Sequence, residues 1–183
     1  MHPSVMEFLR HNVKSEDIAN LDVLEVGSQN VNGSPREVVA PYKPKSYIGV
    51  DYGPGRDVDA VVDVKDLTTR FGLDCFDVVI STEMLEHAQD WRTAVNQMKC
   101  VLKPGGLLVL TTRGPGFPYH GYPHDYWRYT VEDFKKIFQD MWILHLGPDH
   151  GAGFPGVFLK ARKTGATGWV SLDPINVAPV SRG

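Results

Sequence analysis

Gly27 and Asp51 stand 24 residues apart, each directly after a short apolar run. A glycine at such a point lets the backbone turn sharply against a ligand, with no side chain in the way. A carboxylate at the end of the next run can accept two hydrogen bonds from a ribose diol. Singly they read as turn residues; in this order they favour an adenosine ligand. Asp63, after the following run, can accept from an adenine amino group or cap a helix. Further on, His87, His120 and His124 are candidate bases, because an unperturbed imidazole titrates at about 6.5. The order of preference is His124, then His120, then His87. His87 also has a structural reading, bonded to backbone at the start of the following helix. Tyr119, Tyr122, Tyr126 and Arg113 can line a pocket and bind an acceptor. Gly116–Tyr129 is dense in Gly, Pro, His and Tyr. It reads as a substrate lid, or as packing over a sheet edge, with Trp127 and Tyr129 buried and Arg128 ion-paired. His120, His124 and Asp125 match no closed metal-ligand spacing, so no metal is assigned.

Such residues need strands to carry them. The apolar runs Asp22–Val26, Ser46–Val50, Ala60–Val62, Phe76–Ser81, Gly106–Thr112, Trp142–Leu146 and Gly156–Arg162 predict seven strands. Runs this apolar suit strands buried on both faces. Between them, Ser34-Pro35-Arg36-Glu37 opens a short helix. Asp90 caps a helix over Trp91–Leu102, stopped by Lys103-Pro104-Gly105-Gly106, and Thr130 with Asp133 starts another. Ser4 with Glu7, and Ser15, begin two short helices near the N-terminus. Strand–helix alternation predicts an α/β doubly wound fold, in which ligands bind at the carboxyl ends of the strands.

The 183 residues divide into a short helical segment (1–20), one domain (21–163) and a tail (164–183) rich in Gly, Pro, Ser and Thr, which Trp169, Val170 and Leu172 can anchor. With 19 Lys+Arg against 22 Asp+Glu, the net charge of −3 offers no basic surface for nucleic acid. No 18-residue apolar stretch exists to span a membrane, and the first ten residues lack a signal-peptide pattern. Two cysteines, Cys75 and Cys100, make a disulfide framework unexpected and a cytoplasmic location the default.

The segments Val23–Ser28, Tyr47–Asp51, Phe76–Ser81, Glu83-Met84-Leu85-Glu86-His87 and Val101–Val109 with Leu102-Lys103-Pro104-Gly105-Gly106 resemble, in order, the motifs of class I S-adenosylmethionine-dependent methyltransferases. The methyltransferase type 11 branch is the most similar. The resemblance runs over Leu21 to Arg162 and implies a Rossmann-like seven-stranded sheet, mostly parallel with an antiparallel closing strand. It implies S-adenosyl-L-methionine as cofactor and a methyl acceptor that is a hydroxyl or amine of a small molecule or sugar. It places Glu25 and Gly27 by the methionine moiety, Asp51 on the ribose, Tyr52 beside the adenine, and Asp63 and Val64 at its edge. Ser81 and Thr82 form the floor, and Met84 packs near it. The family's Gly-x-Gly-x-Gly is replaced, with Gln29 and Val31 at two of the glycines. Asn30 and Asn32 are therefore expected in the left-handed conformation, with Ser28 and the loop amides meeting the cofactor carboxylate. That loop motivates an alternative, a non-catalytic domain that binds the nucleoside or a partner. A nicotinamide dehydrogenase lacks its Gly-x-Gly-x-x-Gly here, and no Asn-Pro-Pro-Tyr or Asp-Pro-Pro-Tyr supports base methylation. A lid must come from the first 20 residues, the loop after the fifth strand, the tail or a second subunit, so a homodimer stays open.

Overall fold

In the computed structural model, all residues are described except Met1, Tyr122, His150, Ala152, Phe154, residues 166–168 and residues 182–183. Nine strands form: β1 (Asp22–Val26), β2 (Ser46–Asp51), β3 (Ala60–Val61), β4 (Phe76–Thr82), β5 (Leu102–Arg113), β6 (Trp127–Arg128), β7 (Met141–Pro148), β8 (Gly156–Lys163) and β9 (Ala178–Pro179). Seven build one sheet in the order β3-β2-β1-β4-β5-β8-β7, and β6 pairs with β9 in a separate ribbon. Five strands from β3 to β5 run parallel, and β8 inserts antiparallel between β5 and β7. This is the doubly wound, mostly parallel sheet that the apolar runs and the resemblance imply. The chain reverses direction between β1 and β4, where helices leave on opposite faces and a crevice opens at the strand ends.

The period of two along each strand sorts the core. Val23, Val78, Ile80, Leu107, Val109 and Phe158 belong to one apolar layer. Their neighbours Leu24, Val26, Val79, Leu108, Leu110 and Leu159 belong to the other. Helix α1 (Pro3–Asn12) covers the first layer with Val5, Phe8 and Leu9, beside the four-residue α2 (Arg36–Val39). Asp17 ties the N-terminal segment to β8 through Lys160 at 2.7 Å and Arg162 at 3.3 Å. Over the second layer lie α3 (Leu67–Phe71), α4 (Trp91–Val101) and α5 (Val131–Ile137). Asp90 caps α4 by accepting from the Thr93 amide, and Thr130 with Asp133 forms a reciprocal cap on α5. Phe76 pairs with Leu102 but Val78 with Leu107, so Lys103–Gly106 bulges out of β5 rather than forming a separate turn.

The tail lies over α4. Leu172, Ile175 and Val177 are buried, and Asn96 exchanges two hydrogen bonds with the Val170 backbone. Arg92 donates to the Leu172 and Ile175 carbonyls. Trp169, expected as an anchor, is exposed; its place is taken by Ile175 and Val177. Among the described residues, no helix is long and apolar enough to cross a membrane.

Candidate active site

Two cavities open at the carboxyl ends of the parallel strands. The larger, about 440 Å³, is walled by Asp51 and Tyr52 after β2, Asp63 and Val64 after β3, and Met84 after β4. The smaller, about 420 Å³, is walled by Glu25, Ser28, Thr82 and His120. Gly27, Glu83 and His87 line both, so the cavities meet there. Gly27 has φ +82°, and a Cβ on it would lie 2.6 Å from Met84 Cβ. Both the turn and the close approach therefore require glycine. Asp51 is nearly buried and accepts from the Gln29 amide at 3.1 Å. Asp63 fills both of its expected roles in space: it lines the cavity, and it accepts from the Lys65 amide at the start of a 3-10 turn.

The glycine-poor loop takes another shape than the one expected. Asn30 and Asn32 are not left-handed; Gly27 and Gly33 hold the positive φ values. Asn30 lines neither cavity. It caps the loop from within, accepting from the Gly33 amide and donating to Asp57 at 2.7 Å. Ser28 Oγ is buried with no hydrogen-bond partner. Ser81 Oγ donates to the Val26 carbonyl and lies beneath the cavities rather than in their walls.

The segment after β5 folds down onto the Leu85-Glu86-His87 turn. Arg128 holds it there, with a two-pronged ion pair to Asp125 at 2.6 Å and bonds to the Phe117 and Pro118 carbonyls. Tyr126 N donates to the Glu86 carbonyl, and His87 Nδ1–H donates to the His124 carbonyl at 2.5 Å. Trp127 Nε1 donates to Ala88, and Tyr129 is fully buried against Trp91. His124 and Tyr126 line the larger cavity, on the nucleoside side, whereas His120 lines the smaller. The ranking by sequence thus changes: His120 and His87, not His124, flank the smaller cavity. Tyr119 lines neither cavity, and Tyr122 lies outside the described residues. Arg113 is a correction. It is fully buried, ion-paired to Glu83 and, at 3.4 Å, to Asp149, so it cannot meet a substrate directly.

Three carboxylates were not distinguished by sequence as site groups of the acceptor end. Glu83 has φ +56°, a strained setting for a non-glycine residue, and accepts from Thr111 Oγ1. Burial and the neighbouring Glu86 charge push its pKa up, against the pull of Arg113. Glu86 is fully buried; burial would raise it, but His120, His87 and Thr112 hold it below its ordinary value. For His120 burial acts downward, and Glu86 with Asp125 overrides it, leaving the ring above its ordinary value. Asp125 accepts from the His120 amide. The only sequence signal for Glu86 is its place inside the Leu-Glu-His motif. Glu25, by contrast, belongs to the resemblance; burial pushes it up to about 7, while the Tyr47 hydroxyl donates to it at 2.7 Å.

A sheet of this strand order with its crevice at β1, β2 and β4 defines the class I methyltransferase fold, whose cofactor is S-adenosylmethionine. A family model described as a methyltransferase domain matches residues 7–150, well over half of the chain, and the chain belongs to that family. An uncharacterized Escherichia coli (strain K12) protein, YafE, is 36% identical over 81 residues. That match takes in 39% of this chain and only 37% of YafE. Among solved structures, Burkholderia thailandensis 1,6-didemethyltoxoflavin-N1-methyltransferase superposes with a TM-score of 0.67 at 15% identity, over 89% of this chain and 77% of that one. The N-methyltransferase NodS of Bradyrhizobium japonicum WM9 superposes with a TM-score of 0.66 at 19% identity, over 88% and 97%.

Proposed function

We propose that this protein is an S-adenosylmethionine-dependent methyltransferase acting on a hydroxyl or amine of a small molecule or sugar. One observation carries the reading: two cavities meet at Gly27, Glu83 and His87, one ending on the Asp51 carboxylate and the other on a histidine pair. A nucleoside with a reactive tail needs one cavity for each part. The residues fit such a group, since Ser28 Oγ is buried without a partner beside a glycine whose Cβ would fill the junction. When bound, the cofactor supplies a methyl on a positively charged sulfur, and positive charge is lost as the methyl moves.

In this reading Asp51 accepts from the ribose diol, Tyr52 lies beside the adenine, and Asp63 and Val64 meet its edge. Glu25, Ser28 and Thr82 receive the methionine portion, with Met84 packed at the junction. Residues 21–163 form the catalytic domain, and the tail braces α4. The segment around His120 and Tyr126 holds the acceptor and excludes water, which leaves alignment to supply much of the rate. His120 and His87 handle the acceptor's proton, and a free amine needs less help than an alcohol. The toxoflavin-type and NodS methyltransferases are N-methyltransferases by name, which supports a small acceptor.

Calorimetry with S-adenosylmethionine, S-adenosylhomocysteine and NAD tests the reading. Both sulfur nucleosides bind and NAD does not. Asp51→Ala weakens them at least tenfold; equal affinity in the variant refutes the ribose contact. A folded protein that binds neither nucleoside ends the proposal.

A further inference from the structure

Glu86 is fully buried, and only one of its carboxylate oxygens is satisfied. Oε2 accepts from Thr112 Oγ1 at 2.8 Å, whereas Oε1 has no donor. A buried carboxylate oxygen left in this way is costly. The nearest cationic or metal-ligating atoms are His120 Nε2 at 3.7 Å and His87 Nε2 at 4.0 Å, both beyond hydrogen-bonding distance. The two rings lie 4.9 Å apart. Each is braced on its other nitrogen. His87 Nδ1–H donates to the His124 carbonyl, so the neutral ring carries its lone pair on Nε2. His120 Nδ1 faces the Asp125 carboxylate at 3.0 Å, and Asp125 is itself clamped by Arg128. Histidines that ligate metals are held in this manner, with an outer carbonyl or carboxylate fixing tautomer and ring orientation. Ligand atoms of Glu86, His87 and His120 all lie within 4.8 Å of one another.

We propose that Glu86, His87 and His120 bind a divalent first-row transition cation, zinc before others, at the wall of the smaller cavity. Two imidazoles and a carboxylate suit zinc, and leave a fourth position open as in catalytic rather than structural sites. Magnesium and calcium favour all-oxygen shells and fit less well. Tetrahedral bonds of about 2.0–2.2 Å put ligand atoms roughly 3.3–3.5 Å apart, so these side chains close in by about half an ångström or less. This corrects the expectation that no metal is assigned: the ligands come from the Leu-Glu-His turn and the lid, and their sequence separation hides them. The cation's role, though not its binding, rests on the proposed methyl transfer. There the open position takes an oxygen of the acceptor, and the histidines act by positioning it rather than as bases.

The test uses the full chain, stripped with a chelator and titrated with Co²⁺ as a visible probe, then with Zn²⁺. One Co²⁺ per chain should bind with the intense band of four-coordination, and Zn²⁺ should displace it. Glu86→Gln and His120→Ala should each weaken binding at least tenfold. His120 is half-exposed on the lid, so its variant keeps the test valid if Glu86→Gln unfolds. Absence of stoichiometric binding by Co²⁺ and Zn²⁺, or equal binding in the folded variants, overturns the proposal and leaves a histidine–carboxylate cluster. S-adenosylhomocysteine affinity of the stripped protein is measured in parallel. Nucleoside binding without metal binding removes the cation site alone; metal binding without nucleoside binding removes the methyltransferase reading alone.

Discussion

Glu25 is a carboxylate on a buried strand, 2% exposed, and its burial has a measurable consequence. Its pKa stands at about 7 in the folded chain against an ordinary 4.5. Between these values the folded protein holds a proton that the unfolded chain has lost. Stability therefore falls as pH rises through that window, by up to about 3 kcal/mol, and is greatest at this site below pH 4.5. Glu25→Gln should abolish that slope and be more stable than the parent at pH 8. Urea unfolding at pH 5 and pH 8 reads it directly, and an unchanged slope in the variant refutes the assignment. At Gly27 the constraint is steric. Gly27→Ala places a methyl within 2.6 Å of Met84 Cβ at a left-handed φ, so it should cost about 1–3 kcal/mol and abolish nucleoside binding. Wild-type calorimetry from that variant would show that the junction is looser than its geometry.

At the scale of elements, α4 is the bench on which the tail is laid. Its Arg92 and Asn96 bond the backbone of residues 170–175, and Leu172, Ile175 and Val177 complete the apolar layer beneath. Arg92→Ala removes two carbonyl partners and should cost about 1–3 kcal/mol. Proteolysis should then cut first within residues 164–181, and hydrogen exchange at Ile175 and Val180 should accelerate. A cleavage pattern identical to the parent's would show that apolar burial alone holds the tail. The composition of the tail marks it as irregular, but its anchors were misjudged: local hydrophobicity favours Trp169, whereas the groove beside α4 accepts Ile175 and Val177. Strands and caps were far more legible. Asp90 and Thr130 cap as their local pattern requires, because a cap involves residues two or three apart.

Across the whole molecule, a buried chain of polar groups joins the site to the N-terminal helix. Glu83 pairs with Arg113, Arg113 with Asp149, and Asp149 accepts from Ser4 Oγ at 2.8 Å. Arg113→Met leaves two buried carboxylates without their cation. It should cost about 3–5 kcal/mol, lowering the urea midpoint. A stability loss below 1 kcal/mol would mean that water already reaches the network. This coupling was invisible in the chain, where Arg113 reads as one more polar residue in a lid. Its partners lie 30 and 36 residues away, and only folding shows that the side chain turns inward.

The residue pattern alone determined the strand set, the doubly wound class, the cap positions and the strand-tip residues Gly27, Asp51 and Asp63. Each follows from a local period or from topology, since a parallel sheet must present its carboxyl ends to one crevice. Tertiary structure alone decided which side chains face that crevice. His120 and Glu86 meet across 34 residues of chain, Ser81 and Asn30 turn away from the cavities, and a bulged loop at Gly33 replaces the left-handed asparagines. Such outcomes depend on the fold of irregular segments, where no repeating period dictates the direction of a side chain.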